Sequence, residues 1–123
     1  MTQELEGHTS DSFPDTLGIK TQYDYIRIHI NKIAYCKADG SYSEIYLDDG
    51  SKIVISKSLH ALEERLKEFH FIRCHYSYLV NIRKVDRFVR QSKTLEINNH
   101  KIPVSRRRCG QIMMSLKSLK NHF

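Results

Sequence analysis

FIRCHYSYLVN, residues Phe71 to Asn81, gathers Arg73, His75, Tyr76, Ser77, Tyr78 and Asn81 into one segment flanked by ordinary sheet sequence. A half-buried strand sends alternate side chains to opposite faces. Ile72, Cys74 and Tyr76 would then share one side, and Phe71, Arg73, His75 and Ser77 the other. A face carrying Arg, His and Ser suits a core poorly. It suits a polar surface that meets an anionic partner rich in hydrogen-bonding groups. Two further basic stretches, Arg83 to Lys93 and Lys101 to Arg108, follow closely, and the rest of the chain reads as scaffold.

Upstream of this segment the patterning is that of sheet. Thr16 to Thr21 and the alternating Tyr23 to Ile30 are expected strands, followed by Ile33 to Lys37 and, after Asp39-Gly40-Ser41, by Tyr42 to Leu47. Asp49-Gly50 marks a tight hairpin into Lys52 to Ile55. Ser58 to Phe69 changes period. Leu59, Leu62, Leu66 and Phe69 recur at helical spacing, Ser58 is placed to cap the start, and Glu63 stands four before Lys67. Downstream, Val85 to Arg90 and Leu95 to Ile97 read as strands about a Gln91-Ser92-Lys93 turn, and Asn98-Asn99 turns into Lys101 to Val104. The chain closes with a helix from Ser105, its expected N-cap, to about Leu119, and Gly110 predicts a late start or a bend. The expected class is therefore mainly β, with one short mid-chain helix and a C-terminal helix.

A chain of 123 residues with 40% hydrophobic content fits one domain with a tail. Residues 1–18 hold Glu4, Glu6, Asp11 and Asp15 with no Lys or Arg, a charge of −4, and read as a flexible acidic tail or linker remnant. All 20 basic residues and the other 10 acidic ones lie in 19–123, which carries +10. That imbalance points to a polyanion, nucleic acid before an anionic membrane surface. Cys36, Cys74 and Cys109 form no CxxC pair and no disulfide framework, which fits a reducing cytoplasm. No signal peptide and no membrane-spanning run is read in the sequence.

Chemistry finds little purchase. Cys74 and His75 are neighbours whose side chains diverge on a strand, and no fourth ligand lies at useful spacing from His70, so no metal is expected. His75 cannot share a proton with Cys74 across a strand, and no Gly-rich elbow presents Ser77 as a nucleophile. Neither an enzyme nor a cofactor is expected. Tyr46 and Tyr78 are expected to pack, while Tyr42 and Tyr76 are open to stacking on bases. Arg106, Arg107 and Arg108 occupy the expected first helical turn, where the dipole disfavours cations. A docked phosphate would turn that mismatch into a site; a basic surface turn without a ligand is the alternative that spacing does not separate.

Ile33-Ala34-Tyr35 leading to Gly40-Ser41-Tyr42, then Asp49-Gly50 and Ser58-Leu59, are ordered pieces of a wider pattern. Phe71-x-Arg73-x-His75-x-Ser77-x-x-Val80-Asn81 and Ile102-Pro103-Val104-Ser105-Arg106 are its sharpest parts. From about Ile19 to Leu119 the chain resembles the LytTR DNA-binding domains of bacterial transcription regulators. The resemblance implies an elongated arrangement of small, mostly antiparallel sheets, with inter-strand loops entering successive major grooves of bent DNA. It implies base reading by Gly40, Ser41, Tyr42, Tyr76, Arg106 and Arg107, position 76 being often polar or basic in the family. Arg73, His75, Ser77 and Ser105 follow from it as backbone contacts; Asn81 and the basic stretches add Lys84, Arg87, Arg90 and Arg108. The implied partner is double-stranded DNA, in direct-repeat sites bound by tandem or dimeric copies. Many members are response regulators of two-component systems, with a receiver domain or membrane segment upstream. Here residues 1–18 precede the match, and the starting Met and acidic tail favour a short natural protein over a piece of a longer one. The competing reading is a basic β-module for protein interaction or ligand sensing.

Overall fold

Ile33, Ala34, Tyr35 and Cys36 are consecutive and all buried, which simple alternation does not allow for a strand with one wet face. The strand they begin is central and covered on both sides. The computed structural model of the chain describes residues 15–119, 121 and 123. Its strands are β1 (Thr16–Lys20), β2 (Tyr25–His29), β3 (Ile33–Asp39), β4 (Tyr42–Leu47), β5 (Lys52–Ile55), β6 (Phe71–His75), β7 (Tyr78–Asn81), β8 (Arg87–Val89), β9 (Thr94–Ile97) and β10 (His100–Pro103). Two α-helices accompany them, α1 (Leu59–Leu66) and α2 (Cys109–Lys117). The fold is mostly β, in three small antiparallel sheets. β5-β4-β3-β7-β6 form the five-stranded centre, β1-β2 a ribbon and β10-β9-β8 a third sheet. Most of the stretch assigned to the acidic tail lies outside the described residues; β1 begins within it, and Leu17 is buried.

The central sheet divides the interior in two. On one face Ile33, Cys36, Ile45, Phe71 and Leu79 pack against Leu59, Leu62 and Leu66 of α1 and against Leu17, Ile19 and Ile28 of the ribbon. On the other, Ala34, Tyr35, Cys74 and Val80 meet Leu95, Ile97 and Ile102 of the third sheet and Ile112 of α2. A register shift between Ile33 and Tyr35 lets β3 place Ala34 and Tyr35 together on the second face, the local kink a β-bulge produces. α1 starts where its cap is expected: the Ser58 hydroxyl accepts from the Ala61 N–H at 3.1 Å. Lys67, however, pairs with Glu64 at 3.2 Å and not with Glu63, whose carboxylate turns to Arg73.

Three local expectations are corrected. Phe71 to Asn81 is two antiparallel strands folded about Tyr76 and Ser77, and Phe71 lies in the first core. A second register shift between Arg73 and His75 sets His75 opposite Tyr78, so it leaves the face of Phe71 and Arg73 where unbroken alternation puts it. Arg106–Arg108 form a 3-10 turn ahead of α2, and the Ser105 side chain makes no capping bond.

Candidate nucleic-acid interface

The Gly40-Ser41 turn joins β3 to β4, with Asp39 paired to Tyr42. Gly40 has φ +62°, a region costly for residues with a Cβ; space is not the constraint, because a Cβ there would meet nothing within 4 Å. The Ala38 N–H donates to the Ser77 carbonyl at 2.9 Å, so this turn and the Tyr76-Ser77 turn leave the sheet at the same end. A third segment joins them, as the Ser105 N–H donates to the Cys74 carbonyl at 2.9 Å. A fourth follows, because the Val104 N–H donates to Lys93 at 2.9 Å and so brings in the Arg90 to Lys93 turn. Tyr42 is 52% exposed and Tyr76 78%, and Ser41, Arg90, Arg106 and Arg107 are also exposed. Lys37, which the sequence reading passed over, lies at this end with its ammonium 5.8 Å from the Tyr78 ring centre.

His75 has a definite hydrogen-bonding role. Its Nδ1 accepts from the Ser77 N–H at 3.1 Å, so the neutral ring carries its proton on Nε2, where it can donate. The ring stacks on Tyr76 at 5.0 Å and lies 5.8 Å from Tyr78. Ring contacts continue inward from Tyr78 to Tyr35 at 6.3 Å and from Tyr35 to Tyr46 at 4.5 Å. Tyr46 donates to Glu44 at 2.8 Å; burial first and that bond second push its phenol up to about 12, and the same bond, chiefly, holds Glu44 below the usual carboxylate range. These inner rings brace the sheet.

Other expected contacts have internal uses. Asn81 is 4% exposed; its amide donates to the Ile33 carbonyl at 3.0 Å and accepts from the Arg83 N–H at 3.1 Å, tying β7 to β3. Arg73 bonds Glu63 at 2.8 Å, the His75 carbonyl at 3.1 Å and the Tyr76 carbonyl. Lys84 pairs with Asp48 at 2.8 Å, past the far end of β4 from Gly40. Arg87 is exposed, with Glu96 4.0 Å away. Arg108 is half-buried, its N–H donating to Ser105 and that of Cys109 to Arg106. Those two N–H groups are therefore not directed at an anion, as an α-helical first turn would have had them.

Among the described residues no group of three or more His, Cys, Asp or Glu side chains is arranged to hold a metal. Burial pushes the thiols of Cys36 and Cys74 up to about 12, so both are protonated at neutral pH. A cavity of about 570 Å³ bordered by Asp15, Asn31, His70, Arg83 and Lys84 carries both signs of charge and includes none of the exposed turn residues. No helix of the described residues is long and apolar enough to cross a membrane.

Residues 23–117 match the family model of the LytTr DNA-binding domain. Among solved structures the chain is similar to the LytTr DNA-binding domain of a protein from Bacillus cereus named as a DNA response regulator. The TM-score is 0.68 at 24% identity, covering 82% of this chain and 95% of that one. No curated protein matches the sequence.

Proposed function

The chain belongs to the LytTr DNA-binding domain family, and on that premise we propose that it binds double-stranded DNA sequence-specifically for a bacterial transcription regulator of the response-regulator kind, in the cytoplasm. The observation that carries this reading is the convergence of exposed turns at one end of the central sheet. Gly40-Ser41-Tyr42, Tyr76-Ser77 and Ser105-Arg106-Arg107 project there, with Arg90 beside them. Turns on a rigid sheet can enter a major groove about 12 Å wide without a recognition helix. Arg106 and Arg107 can fork onto guanine, and Tyr42 and Tyr76 can meet base edges or thymine methyls. His75 through Nε2–H, Ser77, Ser105, Arg108, Arg90 and Lys37 face phosphates, with Arg87 at the margin. Turns entering successive grooves favour bent DNA, and repeated sites along one duplex would take copies in tandem.

The test is selection from random duplexes, followed by affinity for the recovered site against a scrambled one. A ratio of about a thousandfold or more is expected of a specific binder. Equal binding to the selected duplex, the scrambled duplex and heparin would leave only a charge-driven β-module.

A further inference from the structure

A carboxylate beside an interface meant for DNA is an electrostatic liability. Glu63 is such a group, since its Oε1 lies 2.8 Å from Nη1 of Arg73, with side chains 28% and 17% exposed. The His60 imidazole Nδ1 lies 3.9 Å from the same oxygen. Arg73 sends Nε to the His75 carbonyl and Nη2 to the Tyr76 carbonyl. Both carbonyls lie at the register shift and turn where the β6–β7 ladder is interrupted. One planar fork thus holds the turn backbone on one side and α1 on the other. A lysine, with a single point charge, cannot make that set of contacts.

We propose that Glu63 and Arg73 are positioning residues that clamp the Tyr76-Ser77 turn for DNA; this rests on the DNA-binding reading above. Tyr76 is 78% exposed and, among the described residues, stacks on His75 alone, so packing does little to fix its place. Holding the turn before DNA arrives removes an ordering cost from binding. It also accounts for an arginine whose charge is matched inside the protein.

The proposal inverts the sign that charge alone predicts. Removing Glu63 leaves a more cationic protein, which by simple electrostatics binds every duplex more tightly. Under the clamp, Glu63→Ala lowers affinity for the selected site about tenfold, in the range found for coupled neighbours, while affinity for a scrambled duplex holds or rises. Arg73→Lys keeps the charge and falls as far, and the double variant falls little further. Glu63→Gln keeps an acceptor for Nη1 and recovers most of the binding. Amide hydrogen exchange at residues 76–78, measured without DNA on variants whose thermal transitions remain cooperative, quickens in Glu63→Ala. Undiminished binding by Glu63→Ala, or unchanged exchange at the turn, overturns the clamp. A wild-type chain that prefers no duplex overturns the DNA reading and the positioning role together; a selective wild type beside an indifferent Glu63→Ala overturns the positioning role alone.

Discussion

Arg107 and Arg108 are adjacent cations with different surroundings. Arg107 is exposed, whereas Arg108 is half-buried, with Nη1 3.5 Å from Gln111. Residues one apart in a 3-10 turn point about 120° apart, so the two cannot enter a groove alike. Arg107→Ala should lose about 1–3 kcal/mol on the selected site and flatten discrimination at one or two base pairs. Arg108→Ala should weaken all duplexes evenly. Titration of both variants against a panel of single-base changes checks this; equal and uniform losses would remove Arg107 as a reader. At this scale charge was legible in the sequence and partnership was not. Nothing near Arg73 in the chain shows that Glu63, ten residues earlier, takes its Nη1, nor near Asn81 that the Ile33 carbonyl waits for its amide.

The elements were legible where the information is local. The Ser58 cap, the Leu59, Leu62 and Leu66 stripe, and the turns at Asp49-Gly50 and Asn98-Asn99 can be read from a few neighbouring residues, and Gly50, Asn98 and Asn99 do take positive φ. The register shifts in β3 and β6 were not legible, because the facing strand decides them, and it lies far off in sequence. The 3-10 turn at Arg106–Arg108 was hidden for a related reason: the Cys74 carbonyl fixes Ser105 and hence where α2 can begin. Leu66 is fully buried against the central sheet. Leu66→Ala should cost about 2–5 kcal/mol of stability, measured by urea unfolding, and should leave the preferred DNA sequence of the remaining folded protein unchanged. A stable Leu66→Ala protein with altered preference would mean that α1 faces DNA.

For the whole molecule the issue is where the charge sits. Lys37, Arg90, Lys93, Arg106, Arg107 and Arg108 lie near one end, while Lys84 is paired with Asp48 elsewhere. With about five phosphates neutralised, a threefold rise in salt should lower affinity by about two decades. Arg90→Gln should reduce the logarithmic slope by about one, and Lys84→Gln should leave it unchanged. A flat titration of the wild type would exclude phosphate-led binding. The doubly covered β3 has a different consequence, in the order in which a new chain can fold. Its pairing with β4 closes over two residues, but its pairing with β7 joins Tyr35 to Val80, across β4, β5, α1 and β6. Closing so long a loop is slow relative to forming the hairpin. During synthesis one edge of β3 therefore stays open, and the first core incomplete, until the chain through Asn81 has left the ribosome; the second core waits longer, for Leu95, Ile102 and Ile112. In that interval Ile33 to Cys36 is an apolar strand edge available to any neighbouring chain.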